Sequence, residues 1–159
     1  MIMNKAVFLD RDGVINQKLE NDYVKSWKEF HFLPSVMKAI RAINDKGYLV
    51  IVVTNQRGIA RGLMTEGDLQ DIHRQMCKEL RKHGAHIDDI LYCPHDISEN
   101  CTCRKPKPGM LIEAQKKWSI DLTKSYIIGD SQSDIEAGQK VGCRGILTTK
   151  LIEAVKYLE

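Results

Sequence analysis

Short apolar runs alternate along the chain with segments whose apolar positions recur every three to four residues. The runs Ala6–Asp10, Tyr48–Thr54, Ile87–Tyr92, Tyr126–Gly129 and Arg144–Thr148 predict strands. Tyr48–Thr54 is rich in β-branched residues and apolar at both parities, the pattern of a central parallel strand covered on both faces. Between the strands, Pro34–Lys46 places Val36, Met37, Ile40 and Ile43 on one helical face. Thr65 with Asp68 forms an N-cap pair that opens a long helix to about His83, where Gly84 stops it. Pro108–Trp118 predicts a helix with proline in its first turn, Asp134–Lys140 a short one, and Leu151–Leu158 a small terminal one. Alternating strands and helices imply one α/β Rossmann-like domain over residues 1–159, with a parallel sheet of five to six strands and helices on both faces. No internal repeat, low-complexity stretch or linker interrupts it.

Composition narrows the partners. At 159 residues and 43% hydrophobic content the chain can build one real core. A net charge of +3, with its lysines and arginines scattered, gives no basic stripe, so no nucleic acid is expected. No apolar stretch approaches the roughly 20 residues that span a bilayer, so no membrane partner is expected either. The first apolar run ends in charge and lacks a signal-peptide pattern, and a cytoplasmic monomer is the expectation. In that setting the five cysteines are metal ligands or core residues rather than disulfides.

Candidate chemistry collects at strand ends. Asp10 and Asp12 follow the first strand with Gly13 to turn the chain; alone, the pair is as consistent with a solvated acidic turn. The second strand ends in Thr54-Asn55 and the fourth in Gly129-Asp130, and in a parallel sheet all these tips share one edge. Asp10 and Asp130 can then share a hard cation such as Mg²⁺. Thr54 can donate to a phosphoryl oxygen, and Arg104-Lys105 can bring positive charge to the same anion. Asn55 and Gln56 open a glycine-containing loop through Gly62 that borders the site and offers hydrogen bonds to a substrate. Glu20–Lys25 is either a substrate lip or plain surface.

Cys93-x-His95-x5-Cys101-x-Cys103 is a second constellation. Three thiolates and an imidazole suit a closed tetrahedral zinc, and the last ligand leads directly into Arg104-Lys105. Zinc in this loop, 93–103, would position those cations without joining the reaction. His31, His73, His83 and His86 show no partner pattern and are assigned to surface or packing. Cys77 and Cys143 read as small core residues, and Trp27 and Trp118 as packing.

Asp10-x-Asp12, Thr54, Lys105 and Gly129-Asp130 with Asp134 resemble the four motifs of the haloacid dehalogenase (HAD) superfamily of phosphohydrolases. DRDGVIN, VVTNQRGIARG, CPH, CTCRKPKPGM and IIGDSQSD are similar to its heptose bisphosphate phosphatase and histidinol phosphatase branch. The resemblance implies that Asp10 is the nucleophile of an aspartyl-phosphate mechanism and Asp12 the acid/base. It implies that Mg²⁺ sits on Asp10, the Asp12 backbone carbonyl and Asp130, with Asp134 behind them. Thr54 and Lys105, preferred over Lys107, would hold the transferring group, and Arg104 would recognise a small sugar-phosphate substrate. No large cap domain is implied. Residues 58–62 and 104–110 look like the heptose enzymes, whereas the five-residue gap before Cys101 and the long Asn16–Tyr23 stretch look otherwise. Heptose 1,7-bisphosphate is favoured over histidinol phosphate, with another sugar phosphate third. A catalytically silent zinc-stabilised binding or phosphate-sensing module is the rival of another class, disfavoured because Asp12 serves turnover. A polynucleotide 3′-phosphatase is disfavoured by the missing basic stripe and stacking aromatics.

Overall fold

Strands form where the apolar runs lie. The computed structural model describes residues 2–159 and contains β1 (Ala6–Leu9), β2 (Leu49–Asn55), β3 (Asp89–Cys93), β4 (Tyr126–Gly129) and β5 (Arg144–Leu147). All pair in parallel in the order β3-β2-β1-β4-β5. The sheet therefore takes the lower of the expected strand numbers. β1 is central, with Phe8 opposite Ile51 on one side and Ile127 on the other, and all four of its residues are buried.

The period of two along the strands divides the core. Val7, Leu9, Val50, Val52 and Ile128 face a cluster that includes α1 (Val36–Asp45), α2 (Glu66–Lys82) and α5 (Leu151–Ala154). Ala6, Phe8, Ile51, Val53 and Ile127 face α3 (Gly109–Trp118) and α4 (Gln132–Gln139). Two-sided burial explains why the β1 and β2 sequences are continuously apolar. The expected Thr65–Asp68 box opens α2: Thr65 Oγ1 accepts from the Asp68 N–H at 3.0 Å, and Asp68 Oδ2 from the Thr65 N–H at 2.9 Å.

Element ends shift by one or two residues from the sequence expectation. α4 starts at Gln132 rather than Asp134, and the terminal helix is one α-turn continued as 3₁₀ over Val155–Tyr157. β5 is an exposed edge strand, with Leu147 57% exposed. Cys143 is buried as expected, while Cys77 is only half-buried. No helix among the described residues is long and apolar enough to cross a membrane.

Candidate active site

Strand β1 lies where the connections switch from one side of the sheet to the other, the place where open parallel sheets form their crevice. The loops after β1, β2 and β4 meet there around a cavity of about 310 Å³. Asp10, Asp12, Asn55, Arg104, Lys105, Asp130 and Asp134 all line it, as do Asp22 and Tyr23 from the expected lip.

Lys105 is the hub. It is 4% exposed, and its ammonium donates to Asp10 Oδ1 at 2.9 Å, to the Val53 carbonyl at 2.8 Å and to Asp134 Oδ1 at 2.5 Å. Burial works to lower its pKa, but Asp10 and Asp134 outweigh burial and hold it above the ordinary lysine value. A side chain of Asn55 fixes the Lys105 backbone, accepting from its N–H at 3.0 Å and donating to its carbonyl at 3.2 Å. Asp134 is 1% exposed; its other oxygen accepts from the Ser131 N–H at 3.2 Å and hydroxyl at 3.1 Å. Lys107 points away, to Asn100 and the Cys101 carbonyl.

The two aspartates after β1 live in different fields. Burial pushes the carboxyl of Asp10 up to about 7; Lys105 opposes the rise, while Asp134 and Asp12 add to it. Burial also works to raise Asp12, but the Arg11 guanidinium and donors from Asn16, Arg11 and Gln56 hold it below the usual carboxylate range. Oδ1 of Asp12 accepts from Arg11 Nη2 at 2.8 Å, Arg11 Nε at 3.2 Å and Asn16 Nδ2 at 2.8 Å. Among the described residues, Oδ2 accepts only from Gln56 Nε2, at 3.0 Å. Gly13 makes the turn between these groups with φ of 92°; a Cβ there would sit 2.1 Å from Asp130 Oδ2, so only glycine lets the loop and that carboxylate meet.

Two expectations change. Gln56 was expected to reach substrate, but it is fully buried outside the cavity, and its amide nitrogen donates to Asp12 and, at 2.9 Å, to Thr54 Oγ1. Thr54 is likewise fully buried beneath the site, with its hydroxyl proton left to donate. Strand alternation explains both: consecutive residues at the end of β2 point to opposite sides, and Asn55 takes the cavity side. His73, assigned to packing, is buried on α2 and contacts Arg11 Nη1 through Nε2 at 3.0 Å. Arg57, which no motif singles out, lines the cavity, donating from Nε to the Tyr23 hydroxyl at 3.2 Å, and Lys18 joins it there. A cation flanked by glycine in the loop after Asn55 was the available signal.

Cys93, His95, Cys101 and Cys103 converge beside the cavity, their ligand atoms all within 4.8 Å of one another, and this cluster can hold a metal ion. His95 Nδ1 lies 3.1 Å from Cys103 Sγ and 3.4 Å from Cys93 Sγ. Burial opposes ionisation of Cys101, but the Arg104 and Cys103 N–H groups and the neighbouring thiols bring it down to about 6. The loop is tied to its surroundings by the Gln56 N–H, which donates to the Cys93 carbonyl at 2.8 Å.

Residues 102–155 match the HAD-hydrolase-like family model. A D-glycero-β-D-manno-heptose-1,7-bisphosphate 7-phosphatase of Rhodopseudomonas palustris is 44% identical over 147 residues, covering 88% of this chain and 81% of that protein. An α-anomer 7-phosphatase of Photorhabdus laumondii is 41% identical, over 87% of this chain and 78% of its own. Among solved structures, the D,D-heptose 1,7-bisphosphate phosphatase of B. bronchiseptica, complexed with magnesium and phosphate, superposes with a TM-score of 0.87 at 36% identity, covering 96% of this chain and 86% of that one.

Proposed function

Because the chain belongs to the HAD-like hydrolases and is a phosphatase of that family, we propose that it removes the 7-phosphate of D-glycero-D-manno-heptose 1,7-bisphosphate through a phosphorylated Asp10. The observation that carries this is the different bonding of two carboxylates in one cavity. Asp10 is paired with Lys105 through Oδ1 alone, and Asp12 is held by Oδ1 with Oδ2 lightly bonded. Asp10 attacks phosphorus in line as the bond to the leaving oxygen breaks, and Asp12, which takes up a proton at Oδ2 as the anionic ester comes in beside it, gives that oxygen the proton. Asp12 then takes a proton from water as the water attacks the aspartyl-phosphate, freeing inorganic phosphate and restoring Asp10. Lys105 balances charge on the transferring group.

Asp10, Asp130 and the Asp12 backbone carbonyl form an all-oxygen donor set that suits Mg²⁺. Carboxylate oxygens of Asp10, Asp130 and Asp134 lie within 4.8 Å of one another, and the Gly13 cradle lets Asp130 in. Both Asp134 oxygens are engaged by Lys105 and Ser131, so Asp134 supports the site from behind. When bound, the ion neutralises phosphoryl oxygens and lowers repulsion between the Asp10 carboxylate and an anionic ester.

Substrate choice rests on the cavity mouth. Lys18, Arg57 and Arg104 line the cavity, and Arg104 Nη1 is buried with no partner among the described residues. A second phosphate fits such cations; histidinol phosphate carries an amine in its place. Phosphate release should be compared across both anomers of heptose 1,7-bisphosphate, histidinol phosphate, other sugar phosphates and a 3′-phosphorylated oligonucleotide, with Mg²⁺ present. Heptose bisphosphate is expected to give the highest kcat/KM, and a higher value for histidinol phosphate would overturn the substrate assignment.

The Cys/His cluster is proposed to hold structural zinc, because soft thiolates with one imidazole and no open position suit that ion. Cys101→Ser protein should lose zinc and phosphatase activity together, as read by metal analysis beside phosphate release. Full activity without zinc would show that the loop does not need the ion to present Arg104 and Lys105.

A further inference from the structure

Helix α2 contributes one polar side chain to the buried interior behind the cavity, and the proposed chemistry above does not use it. Arg11 is fully buried, so its guanidinium needs an acceptor for each donor it keeps from water. Two of its nitrogens, Nε and Nη2, go to Asp12 Oδ1. The remaining nitrogen, Nη1, has His73 Nε2 at 3.0 Å as its partner. An imidazole accepts there only when neutral, with its proton on Nδ1, since a protonated ring would turn N–H toward N–H. Burial, reinforced by the Arg11 charge, pushes His73 down to about 3 against the pull of Asp12, which keeps the ring in that acceptor form. The Phe30 ring lies 5.8 Å from the guanidinium carbon and walls off one side of it.

We infer that His73 is a positioning residue for the phosphatase reaction, holding Arg11 so that Asp12 presents Oδ2 to the leaving oxygen. The chain of contact runs from α2 through His73 and Arg11 to Asp12 Oδ1. Three donors pin Oδ1, whereas Oδ2 has only the Gln56 amide. Without the Nη1 acceptor, the guanidinium has to turn in search of another, and it carries the carboxylate with it. Misplacing an acid by about 1 Å is worth on the order of a hundredfold in rate. The inference rests on Asp12 being the acid of the reaction.

Leaving-group chemistry separates positioning from packing. A sugar alkoxide needs a proton to depart and a p-nitrophenolate does not. The ratio kcat/KM stops at leaving-group departure, so it is blind to the later hydrolysis of the aspartyl-phosphate. His73→Leu should lower kcat/KM for heptose 1,7-bisphosphate about 10- to 100-fold and for p-nitrophenyl phosphate less than about threefold. His73→Gln, whose amide oxygen can accept from Arg11, should stay within about threefold of the unmodified protein on both esters. Asp12→Asn should show the same discrimination between esters as His73→Leu, only larger. If His73→Leu does not fold, as read by thermal unfolding, His73→Asn replaces it, polar but too short to reach Nη1. Equal losses on both esters, no loss on either, or no discrimination by Asp12→Asn overturns the inference. An unmodified protein that ignores the heptose ester but hydrolyses another sugar phosphate of the panel corrects the substrate alone, and the comparison then runs on that ester.

Discussion

Asp10→Asn protein is expected to fold normally and to release phosphate at least on the order of 10⁴-fold more slowly than the unmodified protein, whatever ester is supplied. The amide keeps the shape of the side chain and removes its nucleophilic oxygen. Lys105 does not lose its place, because the Val53 carbonyl and Asp134 still accept from it. Burial already works against the ionised form of Asp10, holding it up to about 7, so a neutral group at this position relieves rather than adds electrostatic cost. A thermal midpoint equal to or above that of the unmodified protein, with phosphate release lost, is the expected pair of readings. Turnover near the unmodified rate would remove Asp10 from the nucleophile's role.

Lys105→Met should be the most destabilising single change in the site. It leaves Asp10 and Asp134 facing one another with no cation between them, Asp134 being 1% exposed. Removing one partner of a buried ion pair costs about 3–5 kcal/mol, because the charge left behind is uncompensated. Chemical denaturation should show a loss of that size. Adding Asp134→Asn to the same protein should recover part of it, since the two residues touch and their effects do not add. Phosphate release should fall by about 10²–10³-fold in the single variant, the usual scale for losing one preorganised charge-stabilising donor. Independent, additive losses in the double variant would mean that Lys105 and Asp134 do not form one unit.

The sheet was legible because its strands are buried on both faces. Val7-Phe8-Leu9 and Val50–Val53 have no polar residue to confuse the pattern, and their ends were located to within a residue or so. β5 was located as well, but its exposure was not, because a strand's place at the edge is set by topology rather than by its own residues. Asp10, Asp12 and Asp130 were visible from their place after strand ends, whereas Lys18 and Arg57, which line the same cavity, were not singled out. Of those that act by holding others, Asp134 was expected, and Gln56 and His73 were not. Gln56 resembles Asn55 as a polar residue after a strand, and only the alternation of the chain in space separates their sides. His73 sits among Ile72, Met76 and Leu80 on the buried side of α2, and nothing local distinguishes it from a histidine that merely packs. Its partner Arg11 is 62 positions away in sequence.

Strand order also has a consequence for synthesis. β1 is the first made of the five strands, is apolar at every position, and lies between β2 and β4 in the finished sheet. β2 follows within about 40 residues, but Tyr126 leaves the ribosome more than 100 residues after Leu9. At about 5–20 residues per second, that is a delay of roughly 6 to 23 s. Throughout it, one edge of β1 has no partner strand, and an open apolar edge is a template for pairing with other chains. The strand that leads into Asp10 is thus held half-paired until β4 has been made.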